Sequence, residues 1–220
     1  MKELGKLKFF LGIEVARNSN GIFLCQRKYE LDVISEVGLL GCKPAKTPLE
    51  QNHKLALTKS DDVDDPAQYR RLVGRLIYLT ITQPELSYCV HILAQFMQQP
   101  KKAHWEAAIK VVHYLKGNPD EEMEHMSNIP YSSAVGSIMY LKGTIDVSLT
   151  FDRAKMSDSV VGYVDSDFAG DLDKRRSLIG YLFTLSGSAM SWKATLQATV
   201  ALSTIKTEYM ALAEAVKEVL

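Results

Sequence analysis

Cysteine is scarce in this chain of 220 residues, which contains three. Cys25, Cys42 and Cys89 are odd in number and widely separated, so they match neither a zinc-binding pattern nor the framework of a small disulfide-rich protein. The scarcity therefore predicts a reduced chain in which each cysteine serves as a small buried apolar residue.

Long apolar runs are also missing. The first fifteen residues, MKELGKLKFFLGIEV, contain no stretch long enough for a signal peptide or a membrane helix, and Glu14 interrupts the most apolar part. We therefore expect an intracellular chain that is not secreted and does not enter a membrane.

Neither sign of charge is in excess, because 26 basic residues balance 26 acidic ones. A protein that binds nucleic acid on its own usually carries a basic surplus. The balance therefore gives no support for tight nucleic-acid binding by this chain alone. The hydrophobic share of 46% is ample for the core of one large or two small domains.

The first fifty residues predict two strands and a helix. Residues 7–15 and 21–28 are typical of strands, and Asn20-Gly21 between them is the strongest hairpin signal in the chain. A helix is expected from about Lys28 to Val37, and Gly38 should end it.

Three amphipathic helices are predicted after a polar, acidic linker over residues 51–65. The first begins at Asp65-Pro66, an N-cap followed by proline at the first helical position. The second begins near Pro84, and the third covers about residues 101–116. The predicted buried positions are Tyr69, Leu72, Val73, Leu76, Ile77, Leu86, Val90, Leu93, Ala94, Met97, Trp105, Ala108, Ile109, Val112 and Leu115.

The histidines on these helices are given a structural interpretation. His91, His104 and His113 have no cysteine or acidic partner at a spacing that suggests a metal site. The aromatic residues of the helices could stack on nucleic-acid bases, but side chains of this type more often pack in a core.

Residues 160–212 contain the densest pattern of candidate chemistry. An apolar strand comes first and ends in two aspartates, Asp165 and Asp167. Two further strands are predicted, and a helix beginning at Ser203 or Thr204 carries Glu208. The two further strands are Ile179–Leu185 and Ala189–Lys193.

A strand-borne aspartate and a helix-borne glutamate that meet at one point suit a hard cation such as magnesium, which prefers oxygen ligands. Composition alone instead favours a solvated turn for Asp165, Asp167, Asp171 and Asp173. A third interpretation takes Val164-Asp165-Ser166-Asp167 as the strand-end Asp-x-Asp of a phosphotransferase or glycosyltransferase, although no matching lysine- or threonine-bearing loop accompanies it.

Four motifs in this stretch share the order and spacing of one family. They are YVDSDFAGD, RRS followed two residues later by GY, SW, and ALST followed two residues later by TEYMALAEA. Together they resemble the ribonuclease H domain at the end of copia-type retrotransposon polyproteins.

The resemblance implies a nuclease that cuts the RNA strand of an RNA–DNA hybrid with two Mg²⁺ ions, one activating the water and the other stabilising the leaving oxygen. It implies that Asp165 and Glu208 are catalytic metal ligands, with Asp167 a weaker candidate. The family has further aspartate ligands after the glutamate helix, and the chain reaches Leu220 without them. We therefore expect an incomplete site that is inactive unless pairing of chains completes it.

The amino-terminal segment resembles the end of the reverse transcriptase of the same polyproteins. LGKLKFFLGIEV, GIFLCQRKY and LLGCKPAKTPLE match the stretch after the polymerase motif, where a hairpin helps to hold the primer strand. That motif would lie before Met1, so we expect no DNA synthesis by this chain. The helices that follow match a thumb-like connecting region. The nucleic-acid-binding candidates are Lys28, Lys174, Arg175 and Arg176, and the alternative for Lys28 is an ordinary surface lysine.

Residues 118–145 contain a seam. Residues 130–140 echo residues 68–78, and residues 140–143 repeat residues 114–117. We interpret this collapsed repeat as a junction between two copies of an element, formed either in the genome or in a gene model.

Three positions also depart from the family pattern. Leu178 and Ile179 replace small hydroxylated residues, and Lys206 replaces a glutamate. These departures indicate a copy of the element that is no longer under selection for catalysis. It could persist as a remnant that binds nucleic acid or other polyprotein chains, through the edge of an unfinished sheet.

The sequence thus predicts an α+β chain with four segments. Residues 1–50 form the end of a reverse transcriptase, and residues 51–119 form its helical, thumb-like connection. Residues 120–145 form the seam, and residues 146–220 form the first strands and first helix of a ribonuclease-H-like domain.

Overall fold

The computed structural model of the chain describes residues 8–17, 19, 21–50, 53–117, 149–152, 159–169, 175–185 and 188–219. Within these ranges, helices and two antiparallel sheets confirm the predicted α+β class. The strands are β1 (Phe9–Phe10), β2 (Ile13–Arg17), β3 (Gly21–Cys25), β4 (Leu149–Asp152), β5 (Val160–Asp167), β6 (Leu178–Leu185) and β7 (Ser188–Leu196). The helices are α1 (Arg27–Glu36), α2 (Pro66–Leu79), α3 (Ser87–Ala94), α4 (Lys102–Leu115) and α5 (Thr204–Val219), with a short 3-10 helix at Pro84–Leu86.

The hairpin predicted at Asn20-Gly21 is confirmed, because β2 and β3 pair antiparallel up to Arg17 opposite Ile22. The single strand predicted over residues 7–15 is wrong, since a turn splits it into β1 and β2. Leu11 and Gly12 adopt φ angles of 48° and 81° at that turn. The Tyr78 hydroxyl donates a hydrogen bond to the Leu11 carbonyl, which fastens the turn to α2.

The first sheet is completed by a strand from much later in the chain. β4 pairs antiparallel with β3, placing Leu149 opposite Leu24 and Asp152 opposite Gly21. Its partner is the amino-terminal hairpin, which the sequence pattern did not indicate. The seam at residues 118–145, and the segment boundaries that depend on it, lie outside the described residues.

The predicted helix ends follow the expected capping chemistry. The Asp65 carboxylate accepts hydrogen bonds from the backbone N–H groups of Ala67 at 2.9 Å and Gln68 at 3.1 Å, which begins α2. Gly38 follows α1 with a φ of 72°, a left-handed conformation that favours glycine.

The helices enclose the larger core. Tyr69, Leu76 and Leu93 are fully buried there, and the Tyr69 hydroxyl donates to the Leu93 carbonyl at 2.8 Å. The predicted burial of Ile77 is wrong, because this side chain lies at the margin of the apolar stripe of α2 and is 44% exposed, while Leu79 takes a core position. Ala94, Met97, Trp105 and Ile109 pack against the core as partly buried residues.

The second sheet has the order β5-β6-β7, with all pairs antiparallel. Its two faces are covered by different parts of the chain. On one face Leu182, Ala194 and Trp192 cluster with Tyr88 of α3. On the other face Tyr181 and Phe183 cluster with Ala215 of α5. The sheet is therefore held between α5 and the helices α1 to α4, which we call the helical unit.

No helix in the described ranges is both long and apolar enough to span a lipid bilayer.

Gly162 in β5 should not tolerate a side chain. A Cβ atom there would lie 2.6 Å from one ring carbon of Phe183, and that ring is confined because it packs against Tyr181 and Ala215. We expect Gly162→Ala to lower the free energy of unfolding by about 1–3 kcal/mol in urea titrations. The matched control is Gly74→Ala in α2, where nothing lies within 4 Å of the new Cβ. That variant should gain about 0.5–1 kcal/mol, and equal effects at the two positions would contradict this account.

Candidate functional site

Asp165 and Asp167 lie at the end of β5, as the sequence predicts. Successive side chains of a strand point to opposite faces, so both aspartates share the face of Tyr163. Asp165 stands opposite Gly180, and Tyr163 stands opposite Leu182. Leu182 and Tyr163 belong to the cluster that contacts the helical unit. The two carboxylates therefore lie on the face of the sheet that is turned toward α2 and α3.

Glu208 lies on the other side of the sheet. It is exposed in the first turns of α5, directly after the buried Thr207. Because α5 packs against the face that carries Val164, Tyr181 and Phe183, the strand residue facing this helix is Ser166 rather than Asp165. The structure thus does not bring Asp165 and Glu208 to one face of the sheet.

Asp165 and Asp167 are neighbouring carboxyl groups at the end of β5, and the charge of Asp165 affects the pKa of Asp167. The Asp165 carboxylate accepts a hydrogen bond from the Ser166 N–H at 2.9 Å. Asp167 is exposed overall, yet partial burial of its carboxyl and then the charge of Asp165 raise its pKa. Burial and a neighbouring like charge both disfavour the ionised form of a carboxyl.

Magnesium is the metal implied by the sequence motifs, and its binding by this chain stays a prediction. Mg²⁺ requires several oxygen ligands converging in near-octahedral geometry. Over the part of the chain that the structure describes, no three histidine, cysteine, aspartate or glutamate side chains come together in a way that could hold a metal. Asp171 and Asp173 lie outside the described residues.

A buried polar cluster anchors the first turn of α5. The hydroxyls of Ser177 and Thr207 lie 3.1 Å apart, and both residues are fully buried. The Gln197 side-chain amide donates to the Thr207 carbonyl at 3.0 Å. The Ser177 hydroxyl also accepts the Ala169 N–H at 3.1 Å. The cluster therefore links the loop after β5 to the ends of β6 and β7 and to α5. The sequence analysis missed it, although Ser177 belongs to the RRS motif.

The candidate nucleic-acid-binding residues are distributed over two surfaces. Lys28 lies in the first turn of α1, and its backbone N–H donates to the Glu14 carboxylate at 3.2 Å. Its side chain borders an open cleft of ≈ 540 Å³ beside the first sheet, together with Lys8, Phe9 and Phe23. Arg175 and Arg176 precede β6 in the second sheet, and Arg175 has a φ of 55°. Lys174 lies outside the described residues.

The contact between α3 and β7 joins the helical unit to the second sheet. The Trp192 indole N–H donates to the Thr80 carbonyl at 3.1 Å, and Tyr88 packs beside this tryptophan. The His91 ring nitrogen Nε2 accepts a hydrogen bond from the Leu196 backbone N–H at 3.5 Å. Burial and then the charge of Lys193 lower the pKa of His91. The SW motif noted in the sequence contains Trp192, which makes this contact.

His104 has a structural role. Its Nδ1 accepts the Lys101 N–H at 2.9 Å, and its Nε2 lies 2.9 Å from the Leu55 carbonyl. Its ring stacks on Phe96 with the centroids 3.9 Å apart.

Comparison with known proteins places this geometry in context. The family described as reverse transcriptase (RNA-dependent DNA polymerase) matches residues 1–51. Over 218 residues, or 99% of the chain, the sequence is 35% identical to the retrovirus-related Pol polyprotein from transposon RE2 of Arabidopsis thaliana. The chain spans 13% of the length of that polyprotein.

Two other relatives are shorter proteins. An uncharacterized mitochondrial protein of Arabidopsis thaliana is 34% identical over 215 residues, which are 97% of this chain and 77% of that protein. Secreted RxLR effector protein 161 of Plasmopara viticola is 38% identical over 151 residues, which are 68% of this chain and 87% of the effector. No solved structure matches the chain.

Proposed function

Because the chain belongs to the family of retrovirus-related Pol polyproteins from transposons, we propose that it serves a structural task within such a polyprotein. It holds the end of a reverse transcriptase against the first strands of a ribonuclease-H-like domain, and it does not cleave nucleic acid by itself. RNA-directed DNA synthesis and the cleavage of RNA in RNA–DNA hybrids belong, in this proposal, to the whole polyprotein.

The division of the chain into segments supports this task. β1, β2, β3 and α1 fall within residues 1–51, where the reverse transcriptase family matches. α2, α3 and α4 occupy the thumb-like connection assigned to residues 51–119. β5, β6, β7 and α5 occupy residues 146–220, assigned to the beginning of the ribonuclease-H-like domain. The seam assigned to residues 120–145 remains a prediction from the repeat.

The contacts between these segments favour a scaffold. The hydrogen bond from Trp192 to Thr80 and the packing of Tyr88 tie the second sheet to the helical unit. β4 ties the later part of the chain to the amino-terminal hairpin. Two separate contacts of this kind set the position of one segment relative to the other, which is what a connecting region has to do.

The proposed absence of cleavage is supported by the placement of the two carboxylates. Alternation along β5 puts Asp165 on the face turned toward α3, whereas Glu208 belongs to α5, which packs on the other face. Nucleic acid remains the expected partner of the whole polyprotein. In this chain Lys28 and the cleft beside it, together with Arg175 and Arg176, are the residues we assign to that contact.

Cleavage of a labelled RNA–DNA hybrid tests the proposal. With Mg²⁺ present, the purified chain should release no more RNA product than its Asp165→Asn variant, while a known ribonuclease H digests the same substrate. Asp61→Asn, an exposed residue of the linker, provides the matched change of charge. Magnesium-dependent cleavage that is lost in Asp165→Asn and kept in Asp61→Asn would contradict the proposal. It would instead favour an active ribonuclease H completed by pairing of chains.

A further inference from the structure

The cleft beside the first sheet extends across three strands. Phe9 of β1 pairs with Glu14 of β2, and Glu14 pairs with Cys25 of β3. Directly opposed residues share one face of an antiparallel sheet, so these three side chains stand in a row, and all three line the cleft. β1 is therefore the outer wall of the cleft, and its position sets the width of the cleft.

The sheet itself holds β1 only weakly. β1 is two residues long and pairs with β2 alone among the described strands, and the Val15 N–H adds one hydrogen bond to the Lys8 carbonyl at 2.9 Å. Phe9 and Phe10 are each 56% exposed, and Leu11 is 69% exposed. A strand this short, with little buried apolar surface, gains little stability from its pairing. A single contact from outside the sheet therefore makes a large difference to the position of β1.

Tyr78 of α2 supplies such a contact. Its hydroxyl donates a hydrogen bond to the Leu11 carbonyl, in the turn directly after β1. A Cβ atom built on Gly12 would lie 3.5 Å from the Tyr78 ring, so the turn also rests on this ring. Leu11 comes only two positions after Phe9, and a contact that fixes the turn therefore also fixes the outer wall of the cleft.

The ring of Tyr78 is itself oriented by α1. Tyr29 meets it edge to face, with the ring centroids 5.1 Å apart and the planes at 72°. The Arg75 guanidinium lies 5.2 Å from the centroid of the Tyr29 ring, and it forms an ion pair with Glu36. Tyr29 directly follows Lys28, which also lines the cleft. Tyr78 thus contacts elements on both sides of the cleft, the turn after β1 and the first turn of α1.

We propose that Tyr78 is a positioning residue for this cleft, because its hydroxyl holds β1 in the place where Phe9 faces the cleft. When this hydrogen bond is broken, β1 separates from β2 more often and the cleft widens. The width of the cleft is thus set by α2, a helix of the connecting region, as well as by the first sheet. The inference rests on the proposed function in one respect: Tyr78 affects nucleic-acid binding only if the cleft makes that contact.

Amide hydrogen exchange at Val15, measured by NMR on the full chain, tests the position of β1 without any ligand. The Val15 N–H donates to the Lys8 carbonyl, so it exchanges when β1 opens away from β2. Tyr78→Phe removes the hydroxyl and keeps the ring. The loss of this one hydrogen bond should speed exchange at Val15 by roughly two- to tenfold.

Tyr69→Phe is the matched control, because it removes a hydroxyl of the same kind from the same helix. The Tyr69 hydroxyl donates to the Leu93 carbonyl at 2.8 Å, inside the larger core. This variant should lower the free energy of unfolding and leave the exchange rate of Val15 unchanged. Equal acceleration in the two variants would show that lost global stability is the cause. An unchanged rate in Tyr78→Phe would also overturn the proposal.

Fluorescence anisotropy with a labelled RNA–DNA hybrid separates the role of Tyr78 from the assignment of nucleic acid to the cleft. Lys28→Ala and Tyr78→Phe should both raise the Kd, the latter by roughly two- to tenfold, and Tyr69→Phe should not. A Kd that Lys28→Ala leaves unchanged would contradict the contact at the cleft, and the exchange rates would still decide whether Tyr78 holds β1. A Kd raised by Lys28→Ala and unchanged by Tyr78→Phe would overturn the positioning role.

Discussion

Replacing Glu85 by glutamine should stabilise the protein by about 3 kcal/mol at pH 8.5. Glu85 lies in the 3-10 helix before α3 and is 5% exposed, and its Oε1 atom has no hydrogen-bond partner within the described structure. Burial raises the pKa of this carboxyl from its usual 4.5 to about 7. At alkaline pH the folded state must therefore hold a buried charge that the unfolded chain exposes to water.

The sign of the pH dependence follows from the raised pKa of Glu85. The neutral carboxylic acid favours the folded state, and this contribution is fully present below about pH 4.5. It is lost as the pH rises through about 7, where the folded protein releases the proton. Glutamine stays neutral at every pH, so its advantage should fall below about 1 kcal/mol at pH 5.

Urea titrations of both proteins at pH 5 and pH 8.5 measure this difference. Glu106→Gln makes the same chemical change at an exposed position of α4 and should alter stability little at either pH. A gain in Glu85→Gln that is equal at the two pH values would show that removal of the buried charge is not its cause.

Leu93→Ala should cost about 2–5 kcal/mol of the free energy of unfolding. Leu93 is fully buried in α3, and its carbonyl accepts the hydroxyl of the equally buried Tyr69. Truncation removes apolar contacts and leaves a cavity that the packed helices cannot close completely. Domains of this size are stable by roughly 5–15 kcal/mol, so one such change removes a large fraction of the total.

The matched control is Ile77→Ala in α2. Ile77 is also a large aliphatic residue on a helix, but it is 44% exposed. Its truncation should cost less than about 1 kcal/mol. Equal losses in the two variants, measured as urea midpoints at constant slope, would contradict the assignment of the core to the Leu93 side of the helices.

Local chemistry was enough to predict most of the elements. Asp65-Pro66 specified the beginning of α2, Gly38 the end of α1, and Asn20-Gly21 the hairpin of β2 and β3. Each of these signals acts within a few residues, through a cap or a turn that no distant contact has to supply. The three strands and the helix of residues 160–219 were likewise found from their apolar periodicity.

Pairing between distant segments could not be predicted in the same way. Nothing in the sequence of β4 distinguishes the edge of the first sheet from an edge of the second, since backbone hydrogen bonds are the same at both. The turn at Leu11 and Gly12 was missed for a related reason. It depends on the Tyr78 hydroxyl, which α2 brings to the Leu11 carbonyl from 67 positions away.

The candidate site also depends on contacts between distant segments that the sequence does not reveal. The motifs predicted which strand carries Asp165 and which helix carries Glu208, and both elements are where they were expected. The face of the sheet that receives the helix is the one on which Ala215 packs against Tyr181 and Phe183. Because side chains alternate along a strand, a shift of one residue in β5 would exchange Asp165 and Ser166 between the faces. Spacing in the sequence cannot resolve a difference of that kind.

The pairing of β4 with β3 sets the order in which the chain can fold during its synthesis. Leu24 and Leu149 become neighbours only after more than a hundred intervening residues have left the ribosome. At roughly 5–20 residues per second, the amino-terminal hairpin waits on the order of ten seconds for its last strand. Through that time Gly21–Cys25 remains an unprotected edge in the nascent chain, open to other extended segments. Translation speed through the middle of the message therefore becomes a determinant of how much of this protein reaches its native pairing.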